Sequence, residues 1–329
     1  MSNIQTDQQV KMANEMVVDA YQNNDPVLIK RASDAMNGYI RTQILEDSFM
    51  RQILPAITIT NDELDNSLDL RKPWKIIEVE PNSVGAMTVQ FGTVPDTYYP
   101  EGKKVPVYFN RVITPAYTKD VDELRCWRMD LRQILCDKQT KLMAWEEDRR
   151  FINAVENAIK QSISTSAGRT SFNPYGLAVK FSQGLTRNNL IDMLGIMERT
   201  PNHLQPAKLL MNTTTRREFM KLTHEDVGQR TGDLLFNGIT GGDFQGVELV
   251  TTNKNDLVPD GRIYQFADPK FLGKHYLLQD TTMYVENKAF QIKWFQYKAS
   301  GAMIANLAAV AMVDANPRGL SDDMQRITF

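Results

Sequence analysis

The spacing of apolar residues changes period several times along the chain, and each change marks a new element. Val10, Ala13, Val17 and Ala20 recur at steps of three and four, a helical stripe that Asn23, Asn24 and Asp25 interrupt. Asp25 before Pro26 is a helix start, a capping carboxylate followed by proline at the first helical position. A second helix is predicted from about Pro26 to Leu54, bent near Gly38 and stopped by Pro55. Neither stripe can be buried against its own helix, so both helices read as an arm that lies on something else.

From residue 56 the period drops to two. Ile57 and Ile59 alternate with threonines, Ile77 and Val79 with glutamates, and Met87, Val89 and Phe91 with Thr88 and Gln90. Pro81 to Gly85 is a turn signal between the last two runs, and Val105, Val107 and Phe109 begin another strand. Gly92 to Lys104 between them is rich in Pro, Gly, Tyr and Asp. The unit carries little apolar mass, and an isolated two- or three-stranded ribbon is marginal in water. It has to lean on another surface, the first physical sign of an assembly.

The strongest helical pattern follows. Leu131, Ile134, Leu135, Leu142, Trp145, Ile152, Val155 and Ile159 are predicted to share one stripe. The helix runs from roughly Asp122 to Ser162, about 60 Å of spine. A loop from Thr165 to Gly184 leads into an α/β region. Its predicted parts are a helix at Arg187 to Arg199 with Leu190, Met193, Leu194 and Met197 inward, a short strand at Leu209 to Met211, and a helix at Thr213 to Leu222. A glycine-rich loop, Gly228 to Gly242, precedes strands at Val247 to Val250 and Arg262 to Phe266. Met283 to Glu286 and Phe290 to Tyr297, joined at Asn287-Lys288, form a strand pair, and Ala308 to Val313 is one more buried strand.

Composition narrows the chemistry. With 329 residues, 42% of them apolar, the chain can bury a substantial core in roughly two domains. Lys plus Arg number 38 against 40 Asp plus Glu, a net charge of -2, so there is no basic excess of the kind that grips phosphates. Cys126 and Cys136 both fall on the predicted spine, where helical rise separates them by about 15 Å, too far for a disulfide. Free thiols agree with a reducing cytosol. Met1 to Gln9 is polar, without the apolar core of a secretory signal, and the longest apolar run, Ala302 to Val313, is interrupted by Asn306 and too short for a bilayer. A soluble, intracellular protein is expected.

Signatures of catalysis are missing from the sequence. His203, His224 and His275 are not spaced as a metal pair, and neither cysteine has a ligand partner, so no zinc site is expected. There is no Gly-x-x-x-x-Gly-Lys loop, no Gly-x-Gly-x-x-Gly after a strand and no Gly-x-Ser-x-Gly turn. Gly238, Gly241, Gly242 and Gly246 open no helix and read as a surface loop. Asp62, Glu63, Asp65 and Asp69 lack the central glycine of a calcium loop and read as solvated. Glu146, Glu147 and Asp148, with Arg149 and Arg150, read as exposed salt-bridge partners on a long helix, not as a catalytic carboxylate pair. Trp74, Trp127, Trp145 and Trp294 read as core or interface packing. No catalytic residue, cofactor or metal is expected; the chain reads as a non-enzyme.

A helical arm, a long two-stranded excursion, a spine helix, an inserted α/β domain and returning long strands stand in the order found in tailed-bacteriophage major capsid proteins of the Hong Kong 97 type. The stretch from Val105 to Asp120 resembles the strand leading from that family's extended loop to its spine helix. Glu147-Asp148 stands where the family commonly has a Glu-Asp pair. Leu209 to Asn212, Gly246 to Thr252, Phe290 to Phe295 and Ala308 to Val313 resemble its sheet strands. The resemblance covers about residues 26 to 315, and the order of the motifs carries it.

What the resemblance implies is an α+β fold with an N-terminal arm (1–55), an extended loop with the first peripheral strands (56–118), and the spine helix with the following loop in a peripheral domain (119–185). An axial α/β domain (186–275), long peripheral strands (276–300), and a closing axial strand with the tail (301–329) complete it. It implies a virion protein, assembled in the bacterial cytoplasm, that forms hexamers and pentamers of an icosahedral shell. Trp74, Tyr98, Tyr99, Lys103, Lys104, Glu147, Arg149 and Arg150 are the candidate contacts between subunits. The implied partners are sister copies, a separate scaffolding protein (the arm lacks a long coiled-coil extension), a portal, decoration protein, and double-stranded DNA held by confinement only; no membrane is implied. Some relatives crosslink a loop lysine to a neighbour's asparagine; Lys103, Lys104 and Asn306 match that pattern loosely, and no crosslink is expected. An encapsulin-type nanocompartment shell shares the fold and is the alternative.

Overall fold

A computed structural model describes residues 48–65, 73–80, 88, 90–92, 94, 97–99, 101–120, 123, 131–165, 176–181, 184–219, 243–244, 246–288, 290–315 and 325–326. The predicted helix at 10–20, most of the one at 26–54, Cys126, Trp127, His224 and the glycine-rich loop at 228–242 lie outside the described residues.

The elements in chain order are α1 (Phe49–Ile53), β1 (Ala56–Thr58), β2 (Trp74–Val79), β3 (Lys103–Tyr108), β4 (Asn110–Ile113), β5 (Tyr117–Asp120), α2 (Leu131–Thr165), β6 (Ala178–Phe181), α3 (Arg187–Glu198), β7 (Lys208–Asn212) and α4 (Thr213–Phe219). There follow β8 (Asp243–Phe244), β9 (Val247–Thr252), β10 (Arg262–Phe266), β11 (Gly273–Lys288), β12 (Gln291–Ile304), β13 (Val310–Ala315) and β14 (Gln325–Arg326). One sheet has seven strands in the order β14-β6-β13-β10-β7-β9-β8; a second has five, β1-β11-β12-β4, with β5 also on β12. β2 and β3 form a separate two-stranded ribbon. α2 packs on β12, β4, β13 and α1, so it touches both large sheets.

The main core lies between α2, α3 and the seven-stranded sheet, with Val155, Ile159, Leu190, Met193, Leu210, Ile263 and Val313 all within 1% of full burial. Thr186 caps α3, its hydroxyl accepting from Asn189 N at 3.3 Å, and Leu190, Met193 and Met197 face inward as predicted.

Several expectations need correcting. At the described end of the helix predicted to run to Leu54, Ser48 is extended at φ −99, ψ 116 and Phe49–Ile53 is helical. Pro55 does end it: the residue before a proline is forced toward extended backbone, and Leu54 is extended. No strand forms at the described residues of the Met87–Phe91 stretch; Thr88 and Gln90 are irregular, and Phe91-Gly92 is a turn with Gly92 at φ 91. The segment read as a loop up to Gly184 contains β6, buried between β13 and β14. β11 and β12 are far longer than the predicted pair, because two register shifts between Leu277 and Thr282 accommodate the polar residues that broke the alternation. The strand expected at Ala308 begins at Val310, after a 3-10 turn that Asn306 caps by accepting from Ala308 N at 3.0 Å.

The spine helix buries the later part of the predicted stripe and a second flank besides. Ile152, Val155 and Ile159 are buried, but Leu142 is 46% exposed and lies on the wall of an open groove with Phe49 and Trp145. Between them Cys136, Gln139, Thr140, Met143, Glu147, Asp148 and Phe151 point inward. A helix squeezed between two sheets buries two flanks, so a single stripe cannot describe it. Cys136 is a buried thiol. No helix among the described residues is long and apolar enough to cross a membrane.

Candidate functional site

Two places concentrate the residues singled out by sequence. The first is the β2–β3 ribbon. Its six antiparallel pairs run from Trp74↔Tyr108 at the root to Val79↔Lys103 at the far end. At the root the Trp74 and Tyr108 rings lie 5.8 Å apart, and Phe109 N donates to Pro73 O at 3.1 Å. Val107 and Phe109 pack with Ile59 and Tyr276 in a small cluster of their own. Gly301 of β12 lies directly beneath, where an added Cβ would come within 2.8 Å of Tyr108 O.

Ile77 still packs against that cluster, but most of the described residues farther along are exposed. Lys104 pairs across the strands with Glu78 at 3.2 Å, both well exposed, a contact worth little in water. Tyr98 is 58% and Tyr99 84% exposed, and Phe91 and Val94 stand almost entirely in solvent. Asp65 is not simply solvated: it accepts from Ile76 N at 2.6 Å and ties the preceding loop to the ribbon.

The second place is the middle of α2. The sequence reading put Glu146, Glu147 and Asp148 on the surface; the structure corrects this for two of the three. Glu146 does pair with exposed Arg149 at 2.7 Å, and that guanidinium lies over the Trp145 ring. Glu147 and Asp148, by contrast, are 3% and 0% exposed. Glu147 is therefore not a surface contact for a neighbour: its carboxylate is occupied by its own chain. It takes the Lys298 ammonium of β12 on one oxygen, and Arg51 Nε at 3.3 Å and His275 Nε2 at 3.5 Å on the other. Asp148 takes Lys254 Nζ at 2.7 Å on one oxygen; the other accepts from Ser48 Oγ at 2.8 Å and Met50 N at 3.0 Å. Arg150 lines a cavity of about 150 Å³ with Tyr108, Glu147 and His275, between the helix and the ribbon root.

The electrostatics of these neighbours diverge. Burial pushes the Glu147 carboxyl up, but Lys298, Arg51 and His275 outweigh it and hold it below its usual range. Burial wins at Asp148, raising its carboxyl despite Lys254 and the two hydrogen bonds. Burial likewise lowers the Lys298 ammonium, opposed by Glu147, and depresses His275 to about 4. Arg51, Lys254, His275 and Lys298 were not singled out by sequence. Lys298 did leave a signal: Ile292, Trp294, Gln296, Lys298 and Ser300 are alternate, inward residues of β12, and a lysine in that series demands a buried partner.

Among the described residues no group of three or more His, Cys, Asp or Glu could hold a metal. His203 is exposed, its Nδ1 3.2 Å from Glu198 O, and Asn306 serves as a turn cap.

No family model and no curated protein matches the sequence. Solved structures do match the fold. The chain is similar to the virus-like particle from Pyrococcus furiosus, with a TM-score of 0.52 and 13% identity over 85% of this chain and 98% of that one. It is similar to the mature capsid of bacteriophage PhiM1, with a TM-score of 0.55 and 11% identity over 82% of this chain and 87% of that one. It is also similar to a structure of Mycobacterium phage Bobi, with a TM-score of 0.56 and 13% identity over 82% of this chain and 91% of that one. The fold is that of phage capsid proteins of the Hong Kong 97 type, an α+β architecture, as the order of the motifs implied.

Proposed function

We propose that this chain is the major capsid protein of a tailed bacteriophage, assembling into hexamers and pentamers that close an icosahedral head around double-stranded DNA, and that it is not an enzyme. The observation that carries the reading is the ribbon. Among the described residues its six strand pairs have their apolar anchorage in one small cluster, and Phe91, Val94, Tyr98 and Tyr99, between the two strands, are exposed. Exposed aromatic surface on a two-stranded ribbon is completed by another molecule. A sister copy supplies that surface in a shell, and interfaces of this permanent kind commonly bury more than about 2,000 Å².

In this reading α3, α4, β7, β8, β9 and β10 form the axial domain of residues 186–275, closed by β13 and β14 of residues 301–329, and β6, at 178–181, joins the same sheet from before that boundary. The five-stranded sheet and α2 form the peripheral domain. Trp74, Tyr98, Tyr99, Lys103, Lys104, Arg149 and Arg150 are contacts between copies. A separate scaffolding protein, a portal and decoration protein are the further partners. The balanced charge suits a wall that confines DNA without gripping it.

The similarity to a virus-like particle over 98% of that chain favours a second reading, an encapsulin-type shell that encloses cargo proteins. One experiment tests both. Deleting residues 92–104 leaves a folded, soluble chain that no longer closes shells, judged by electron microscopy beside the full chain. Normal particles from the deletion would end the ribbon-overlap model, and shells packed with protein in place of DNA would select the second reading.

A further inference from the structure

Four elements meet at His275, and the groups around it are already crowded with charge. The ring is 1% exposed. On α2, Glu147 Oε1 lies 3.5 Å from Nε2; on α1, Arg51 reaches the same oxygen at 3.3 Å; on β12, Lys298 holds the other oxygen. Asp280 of β11 stands 3.9 Å from the far side of Arg51, and the Leu54 backbone lies beside the ring. A neutral imidazole fits this set, sharing one carboxylate with two cations. A charged one makes three cations around that carboxylate, among side chains that are nearly fully buried.

The surrounding pairing shows what yields first. β1 is joined to β11 by only three parallel pairs, and the first of them is Ala56↔His275. The preceding residues are fastened by Arg51 on Glu147 and by Ser48 and Met50 on Asp148. We infer that His275 is an acid trip for this joint: a proton on its ring loosens residues 48–58 from α2 and β11, while the seven-stranded sheet and the other strands of the five-stranded sheet persist.

Burial, opposed by Glu147, already holds the ring's titration down from 6.5 to about 4, and Lys298 and Arg51 push the same way. The closed joint refuses a proton that the open joint accepts, so acidification from about 6.5 to about 4 favours opening. Asp148 acts in the opposite sense: burial raises its carboxyl despite Lys254, so its protonation favours the closed form. In the proposed shell this joint seats the segment that leads out of the N-terminal arm. That consequence rests on the shell reading; the trip itself does not.

Hydrogen exchange of the full chain, corrected for intrinsic rates, tests it. From His275 alone, the opening constant for residues 49–58 should rise roughly 40-fold between about pH 6.5 and about pH 4.5, with β7 and β13 unaffected. In His275→Gln the rise disappears. An imidazole titration by NMR on the unmodified chain is the second measurement, in which one of the three rings should titrate near 4. A pH-invariant segment, an equal rise in the variant, or three rings titrating together near 6.5 would each overturn the trip. None of these readouts involves assembly, so its failure leaves the shell reading standing.

Discussion

Glu147 and Asp148 are adjacent on one helix and are bonded into different sheets. Glu147 takes Lys298 from the five-stranded sheet, and Asp148 takes Lys254, at 2.7 Å, from the loop that leaves β9 of the seven-stranded sheet. Successive helical residues differ by about 100° in direction, so the two carboxylates leave the helix toward different neighbours. Both carboxylates also hold the chain entering at Ser48 and Arg51. One turn of α2 therefore ties three parts of the molecule together.

If that corner is structural, breaking it is expensive while replacing it is not. Lys298→Met leaves Glu147 buried with Arg51 as its only cation and should cost about 3–5 kcal/mol, read as a lower denaturant midpoint. Changing Arg51, Glu147 and Lys298 together to Met removes every charge of the set and should recover most of that loss. A single variant as stable as the parent would show that the ion pair contributes nothing.

The ribbon root has a similar sharp test. Gly301→Ala puts a methyl 2.8 Å from Tyr108 O and 3.1 Å from Val107 Cγ1, so the ribbon must shift. The expected cost is about 1–3 kcal/mol, with faster proteolysis in the β2–β3 ribbon. Gly102→Ala, where a Cβ meets nothing within 4 Å, is the control and should leave both measurements unchanged. Equal behaviour of the two variants would mean that the root is not closely packed.

The two flanks of α2 can be told apart by truncation. Ile159, 0% exposed in the main core, should lose about 2–5 kcal/mol on change to Ala. Leu142, 46% exposed, should lose less than about 1 kcal/mol on the same change, although both belong to one predicted stripe. Thermal unfolding of the two variants side by side decides it, and comparable losses would restore the single-stripe picture.

The period of the sequence was enough to place α3, β7, β9 and β10, because the apolar residues of each recur at its own spacing, and to find α2 as a helix, though not both of the flanks it buries. Pro55 and Thr186 marked boundaries through backbone sterics and capping, which are local. The small apolar content of the ribbon, on which the proposed contact with a sister copy rests, was also legible. Tertiary structure decided what local pattern cannot express. A helix between two sheets buries polar residues wherever partners from distant strands arrive, so Glu147 and Asp148 looked like surface charges until Arg51, Lys254, His275 and Lys298 were placed around them. The lengths of β11 and β12 and the strand β6 were set in the same way, by pairing across long sequence distances. The alternation along a chain records which side of an element is apolar; it does not record what another part of the chain brings to that side.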